Sequence, residues 1–179
     1  MPDVRIRPIV SPDIERLINL DHQISTSSVW QMSQSVDANG IHTSFIEVNL
    51  PREMKLTYPR SPDSLELIWK DFSLILVGCV DEVPVGYITL NTSFSPDVIW
   101  IKDLVVDGLW RRKGIGTTLY LFACEWGKKR NFRRTNLEMS SKNFPGIKLA
   151  GKLGFEYCGF NDSYYRNNDI AVFFSRLIG

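Results

Sequence analysis

Apolar residues recur along this chain with two periods, and the period changes where elements should change. From Val4 to Val10, apolar Val4, Ile6 and Ile9 sit among charged neighbours, the pattern of an edge strand. Ser11-Pro12-Asp13 then opens a helix expected to run to about Gln23, with Ser11 as cap and Ile14, Leu17 and Ile18 on one face. Residues 24–44 are polar and carry no clear period. Ser44–Tyr58 reads as one or two extended segments interrupted at Pro51, and Ser61-Pro62-Asp63 begins a short helix or turn through Trp69. Ser73–Val80, a turn at Asp81-Glu82, and Val85–Asn91 form a hairpin, and Val98–Val106 should add a third antiparallel strand. The helix expected over about Gly114–Arg130 has Ile115, Leu119, Phe122 and Trp126 at spacings of 4, 3 and 4, a single core-facing stripe. Thr135–Ser141 reads as the next strand, Asn143 as the cap of a helix with Pro145 in its first turn, and Ala171–Leu177 as a closing strand.

Composition narrows the class. A chain of 179 residues, 44% hydrophobic and 23% charged, without linker, repeat or low-complexity tract, is expected to be one domain over 1–179. A formal charge of +1 gives no general attraction to nucleic acid or to a lipid surface. The apolar stretch near Leu74–Val80 is too short to span a bilayer, and the stretch Met1–Arg7 lacks an apolar signal core. Cys79, Cys124 and Cys158 show no paired spacing, and His22 and His42 no ligand cluster. Reduced thiols, a cytoplasmic location and no metal are therefore expected.

Chemistry concentrates in the turn Arg111-Arg112-Lys113-Gly114-Ile115-Gly116-Thr117, between an apolar strand and an amphipathic helix. Glycines here permit a tight turn with uncovered N–H groups, and the positive end of a helix favours a phosphate. The spacing separates three kinds of phosphate turn. A P-loop needs Gly-Lys-Ser/Thr, and here the lysine precedes the glycine. A dinucleotide fingerprint needs a third glycine where Leu119 stands, after a βαβ unit that the upstream hairpins do not supply. Arg-x-x-Gly-x-Gly at Arg111, Gly114 and Gly116 fits without exception.

That pattern resembles the pyrophosphate loop of the GNAT-type N-acetyltransferases, and the order of elements downstream is similar to theirs. Asn143, Gly146, Ala150 and Gly154-Phe155 stand where the family usually has asparagine, alanine, tyrosine and Gly-Phe. The alanine and tyrosine are both changed. Glu125-Trp126, Leu137-Glu138, Gly154-Phe155, Gly159-Phe160 and the closing strand resemble the streptothricin acetyltransferases in particular. The resemblance implies an α+β fold: a mixed, mainly antiparallel sheet with helices on both faces and a splayed strand pair forming a cofactor slot. It further implies acetyl-CoA as co-substrate, held by Arg111, Arg112, Lys113, Gly114, Ile115, Gly116 and Thr117. The cofactor arm would lie along Leu104, Val105 and Val106, with an N–H near Val105 facing the thioester oxygen. Asn143 would either bond the arm or merely cap its helix. The polar region 24–44 would close over the acceptor, an amine of a small molecule or peptide, in a monomer or homodimer.

An alkylamine is mostly protonated near neutral pH, so a base is needed. Glu138 and Asp103 are the carboxylates nearest in sequence to the expected active-site strands. Alternation cannot say which faces the slot, because one bulged residue would reverse the facing. Asp107 reads as a turn cap. Ala150 removes the usual acid for the leaving thiolate; Tyr157 either substitutes for it or is a core or hairpin aromatic, and the general acid stays unassigned. Trp30, Trp69, Tyr164 and Tyr165 could line the acceptor pocket. A catalytically silent acyl-CoA-binding module is the alternative, and Ala150 is the feature that favours it.

Overall fold

The computed structural model describes residues 3–178. Met1 and Pro2, the start of the stretch read for a signal core, lie outside the described residues, as does Gly179. Nine strands and four α-helices form among them. Strand β1 (Arg5–Pro8) leads into α1 (Asp13–Ile18), and β2 (Ile24–Asp37) and β3 (Gly40–Leu56) follow as a separate two-stranded ribbon. Then come α2 (Ser64–Ile68), β4 (Leu74–Val80), β5 (Val83–Asn91), β6 (Val98–Val106), α3 (Ile115–Lys128), β7 (Arg134–Ser140), α4 (Phe144–Lys152), β8 (Glu156–Asn161) and β9 (Ala171–Leu177). The seven-stranded sheet has the order β1-β4-β5-β6-β7-β9-β8. Only β6 and β7 pair in parallel, across the crossover helix α3; the other pairs are antiparallel.

Local chemistry accounts for the β4–β5 hairpin. Asp81 and Glu82 both take positive φ, 48° and 63°, the pair of left-handed conformations that a two-residue turn needs to follow the strand twist. One face of the sheet carries α3 and α4 over a core of Leu76, Ile88, Ile99, Ile101, Ile115 and Leu119 and their neighbours. The other carries α1 and α2 over Leu17, Leu65, Val77, Tyr87 and Val105. The expected mixed sheet with helices on both faces is what forms.

Three local expectations need correction. Helix α1 spans only Asp13–Ile18, and Ser11 does not cap it. Asp13 instead turns its carboxylate back to the Val10 N–H (2.9 Å) and to Arg7, and the chain leaves the helix at Asn19. On α3, Phe122 is 49% exposed; the buried face is Ile115, Leu119, Tyr120, Ala123, Cys124 and Gly127. Its small residues bring the helix close to the sheet, since a Cβ on Gly127 would lie 2.5 Å from Ile99 Cδ1. Finally, the unassigned segment 24–44 and the broken segment 44–58 pair with each other as one long ribbon. Pro51 falls in its irregularity, where Thr26 faces Met54 but Ser28 already faces Asn49. Polar residues dominate because much of the ribbon is exposed, so the amphipathic signal of a strand is lost.

Candidate active site

Strands β6 and β7 hydrogen-bond only from Val98/Arg134 to Ile101/Leu137. Beyond that point β6 stays with β5 as far as Val106, while β7 stays with β9 to Ser140, so the two part. The cause lies in one residue. Thr89 faces Asp103 and Leu90 faces Ile101, which leaves Lys102 as an extra residue on β6. The bulge also reverses the facing of the residues after it. Ile99 and Ile101 pack toward α3, and past the bulge it is Leu104 and Val106 that do so, while Asp103 and Val105 face the α1/α2 side. The candidates Leu104, Val105 and Val106 thus line the wall of the gap, and their backbone has no strand partner on the β7 side.

At the end of β6 the chain makes its phosphate-type turn. Arg112 (φ 64°) and Gly114 (φ 87°) both adopt left-handed backbone, and α3 starts at Ile115. The N–H groups from Arg112 through Thr117 have no acceptor among the described residues. Three of them belong to the first turn of α3, where no intrahelical partner exists. Successive donors in such a turn form an anion-binding concavity, and the helix dipole adds to it. This row suits the diphosphate of a nucleotide-type cofactor.

The individual side chains divide the labour differently from expectation. Arg111 does not face outward: its Nε donates to the Val106 carbonyl (2.8 Å), and its Nη groups to the carbonyls of Asp21 and Gln23. It clamps the turn to the segment after α1. Arg112 and Lys113 are exposed, and the Lys113 ammonium lies 4.5 Å over the Trp110 ring. Ile115 is a core side chain that contributes only its main chain to the row, and Thr117 is half-buried. Gly116 is not forced by packing, since an added Cβ would meet Leu149 and Val106 at 3.7 and 3.8 Å. Asp107 caps its turn, accepting from Leu109 (3.2 Å) and reaching Asp21 N–H (3.1 Å). Asn143 Oδ1 accepts from Gly146 N–H at 3.0 Å, an N-cap. An alanine at 146 would put its Cβ 2.7–3.0 Å from the Asn143 side chain, which explains why glycine stands there. Ala150 is 1% exposed and packs in the core under α4.

On the α1/α2 side, the foot of the gap holds a polar cluster that contains both carboxylate candidates. Arg60, from the segment between β3 and α2, donates through Nε to Asp103 Oδ1 (2.9 Å) and through Nη1 to Glu138 Oε1 (3.1 Å). Its Nη2 donates to the carbonyl of Lys102, the bulged residue. Tyr58 and Thr89 hydroxyls donate to Asp103 at 2.6 and 2.7 Å, and Tyr164 donates to Glu138 Oε2 at 3.0 Å. Lys102 Nζ lies 3.4 Å from the same Glu138 oxygen. Burial alone would raise the Asp103 pKa, but Arg60 and the two hydroxyls outweigh it and hold the carboxyl below its ordinary value. Burial likewise opposes the Arg60 charge, and Asp103, Tyr58 and Glu138 overcome it. Beside the cluster, His22 accepts or shares a bond with Tyr87 Oη (3.2 Å), and burial lowers its pKa.

Tyr58, Arg60 and Lys102 were not legible as site residues. Arg60 lies 43 positions from Asp103 and 78 from Glu138, so no local spacing could announce it. Of the aromatic candidates, Tyr164 borders the cluster, and Tyr165 packs edge-on against the Tyr164 ring. Trp30 instead packs with Phe45, Tyr157 and Phe174, which also places Tyr157 in an aromatic cluster. Trp69 packs with the α1/α2 core. Ribbon strand β2 starts where Arg111 holds Gln23, and its Trp30 N–H donates to the Ser141 carbonyl (2.9 Å) just past β7. The ribbon therefore passes from the β6 side of the gap to the β7 side.

Comparison with known proteins agrees with this geometry. The streptothricin acetyltransferase of Streptomyces lavendulae is 25% identical over 159 residues, 86% of this chain and 82% of that one. The L-amino acid N-acetyltransferase AaaT of Escherichia coli K12 is 29% identical over 99 residues, 52% of this chain and 59% of that one. The crystal structure of nourseothricin acetyltransferase superposes with a TM-score of 0.82 at 23% identity, covering 98% of this chain and 99% of that one. A Bacillus anthracis str. Ames protein in complex with acetyl coenzyme A superposes with a TM-score of 0.76 at 21% identity, with the same coverage. Residues 44–155 match the profile described as the acetyltransferase (GNAT) family, well over half of the chain. With the parted strands and the open N–H row as its structural counterpart, this chain belongs to the GNAT family of acetyltransferases.

Proposed function

We propose that the chain, as a single domain over 1–179, acetylates the primary amine of a small molecule or peptide, in the cytoplasm, as a monomer or homodimer. Membership of the family makes it an acetyl-CoA-dependent N-acetyltransferase. The observation that carries the reading is the run of unpartnered N–H groups from Arg112 to Thr117 at the mouth of the β6–β7 gap. When bound, acetyl-CoA supplies the thioester whose carbonyl carbon the amine attacks.

The chain's own groups would then have distinct tasks. The N–H row holds the diphosphate, each such charged bond contributing roughly 1.5–3 kcal/mol. Leu104, Val105 and Val106 form the wall along which the arm lies, and an N–H of this bulged strand serves as oxyanion donor. Asp103, with three donors on it and a depressed pKa, is a poor proton acceptor and acts as a fixed anion. Glu138 is the proposed base. Asn143 acts as a helix cap rather than a cofactor ligand. Ala150 deprives the leaving thiolate of a positioned acid; since a thiol pKa of about 8.5 is tolerable near neutral pH, water suffices at some cost in rate.

Two of the relatives are named for acetylation of streptothricin and of L-amino acids, and a panel of amine acceptors that includes both tests the proposal. Amine-dependent release of free thiol from acetyl-CoA is the expected result. Tight coenzyme A binding without thiol release for any amine would favour the silent binding module instead.

A further inference from the structure

The ribbon has an open edge whose chemistry changes along its length. β2 is tied to the body, since its Trp30 N–H donates to the Ser141 carbonyl at 2.9 Å. β3 pairs with β2 alone, and among the described residues the backbone of 41–49 makes no bond on its other side. Natural sheets guard such an edge with proline, charge or a bulge, because its unpaired N–H and C=O groups are a template for another strand. The later part of β3 is guarded in this way: Pro51, Arg52, Glu53 and Lys55 stand there, and the register slips beside them. The segment Ile41-His-Thr-Ser-Phe-Ile46 is not. It holds no proline, glycine, lysine, arginine, aspartate or glutamate, and most of its residues favour extended backbone. Ile41 and Ile46 are nonetheless 70% and 54% exposed, and Val36, which faces Ile41 from β2, is 74% exposed. His42, the one ionisable side chain of the segment, lies 3.2 Å from Asp37 of its own ribbon.

We infer that residues 41–46 of β3 pair antiparallel with the same residues of a second copy, joining two ribbons into a four-stranded sheet about a two-fold axis at Thr43. The segment is its own complement. Residues opposite each other across a strand pair share a face. Ile41, Thr43 and Phe45 share one, opposite Val36, Gln34 and Met32 of β2. An axis at Thr43 therefore sets Ile41 of each copy against Phe45 of the other, with the two Thr43 side chains facing between them. Aromatic–β-branched and Thr–Thr pairs are favourable neighbours on a sheet. Glu47 then meets Asn39, so no like charges are opposed. The neighbouring registers are worse: an axis at His42 opposes two imidazoles, and one at Ser44 puts Ile41 against Glu47. An unrelated strand would have to match this pattern, whereas a second copy matches it by symmetry. Each body packs beside its own Phe45, through Phe160, so the two bodies lie on opposite sides of the axis. The contact is at the small end of protein interfaces, and a dimer of micromolar strength is expected. This homodimer does not depend on the acetyl-transfer reading, because its association is measured without acetyl-CoA.

Sedimentation equilibrium of the full chain, from low to high micromolar concentration, should show the parent passing from monomer to dimer. Thr43→Lys and Thr43→Glu each set like charges against each other on the axis and should weaken association at least about ten-fold. An equimolar mixture of the two should recover it, because each lysine then faces a glutamate. A role for Thr43 within its own fold would not produce that rescue. Gln34→Lys places the same charge on the same face of β2, off the axis, and should leave association within about two-fold. A parent that stays monomeric overturns the inference and leaves the edge to a strand of another protein. Dimers that survive in both Thr43 variants, or a mixture that stays apart, also overturn it. Loss of the dimer in Gln34→Lys would put the contact on β2 and overturn it as well. If the variants fail to fold, the parent decides: amide protection over 41–46 should rise with protein concentration, and constant protection overturns the inference.

Discussion

The two faces of the β6–β7 gap are built by different means. On the side proposed for the cofactor, the groups without an acceptor among the described residues are main-chain N–H donors in one continuous run, Arg112–Thr117, while Arg111 and Lys113 are engaged within the protein. On the side proposed for the acceptor, the polar groups are side chains from five separate places: Tyr58 with Arg60, Thr89, Lys102 with Asp103, Glu138, and Tyr164. Main-chain recognition tolerates change in side-chain identity as long as the backbone path survives. A charged cluster is sensitive to each member, because removing one leaves another buried and unpaired.

If the contrast holds, changes on the acceptor side should injure the fold and those on the cofactor side should injure binding. The largest effect is expected from Asp103→Ala, which strands Arg60 beside a lone Glu138. About 3–5 kcal/mol of stability should be lost in urea unfolding, with coenzyme A affinity retained. The contact also has a pH signature. Because the folded Asp103 pKa lies below that of an unfolded aspartate, near about 3.9, its contribution is complete above that value and is lost as pH falls through the folded pKa. The parent and Asp103→Ala should therefore converge in stability in acid; a gap that stays constant below about pH 4 contradicts the assignment.

Gly114→Val comes next and should do the reverse. A β-branched residue at φ 87° displaces the turn and covers its donors, with an expected loss of roughly 3 kcal/mol in coenzyme A binding, about a hundred-fold. Unfolding free energy should fall by only about 1–2 kcal/mol. Unaltered affinity in that variant would show that the N–H row does not grip the ligand. The smallest effect sharpens the boundary between the faces. Asn143→Ala should cost about 1 kcal/mol in stability, as an N-cap does, and leave coenzyme A affinity alone. A marked loss of affinity would make Asn143 a ligand after all.

The turn before α3 is legible because its determinants are local. An Arg-x-x-Gly-x-Gly turn between an apolar strand and a periodic helix fixes its own geometry from neighbouring residues, and Gly114 does take left-handed backbone. The β4–β5–β6 meander and the parallel crossover to β7 followed from alternation and turn residues for the same reason. Of the ribbon, β3 is legible as the extended segment Ser44–Tyr58, whereas β2 gives no signal because its exposed, polar residues lack the apolar face that marks a strand. The stripe of α3 holds at Ile115, Leu119 and the partly buried Trp126 and fails at Phe122, because small residues set the rest of the face: Ala123 and Gly127 carry little hydrophobic signal but permit the close approach that buries them.

The sequence by itself determined that a tight glycine turn sits between a core strand and a core helix, since that depends on backbone freedom over a few adjacent residues. Tertiary structure alone decided the facing of Asp103 and Glu138. One extra residue at Lys102 inverts the alternation, and Arg60 reaches the pair from the segment that follows β3. A bulge carries no spacing of its own, and an ion pair between residues 43 or 78 positions apart exists only once the sheet has brought them together.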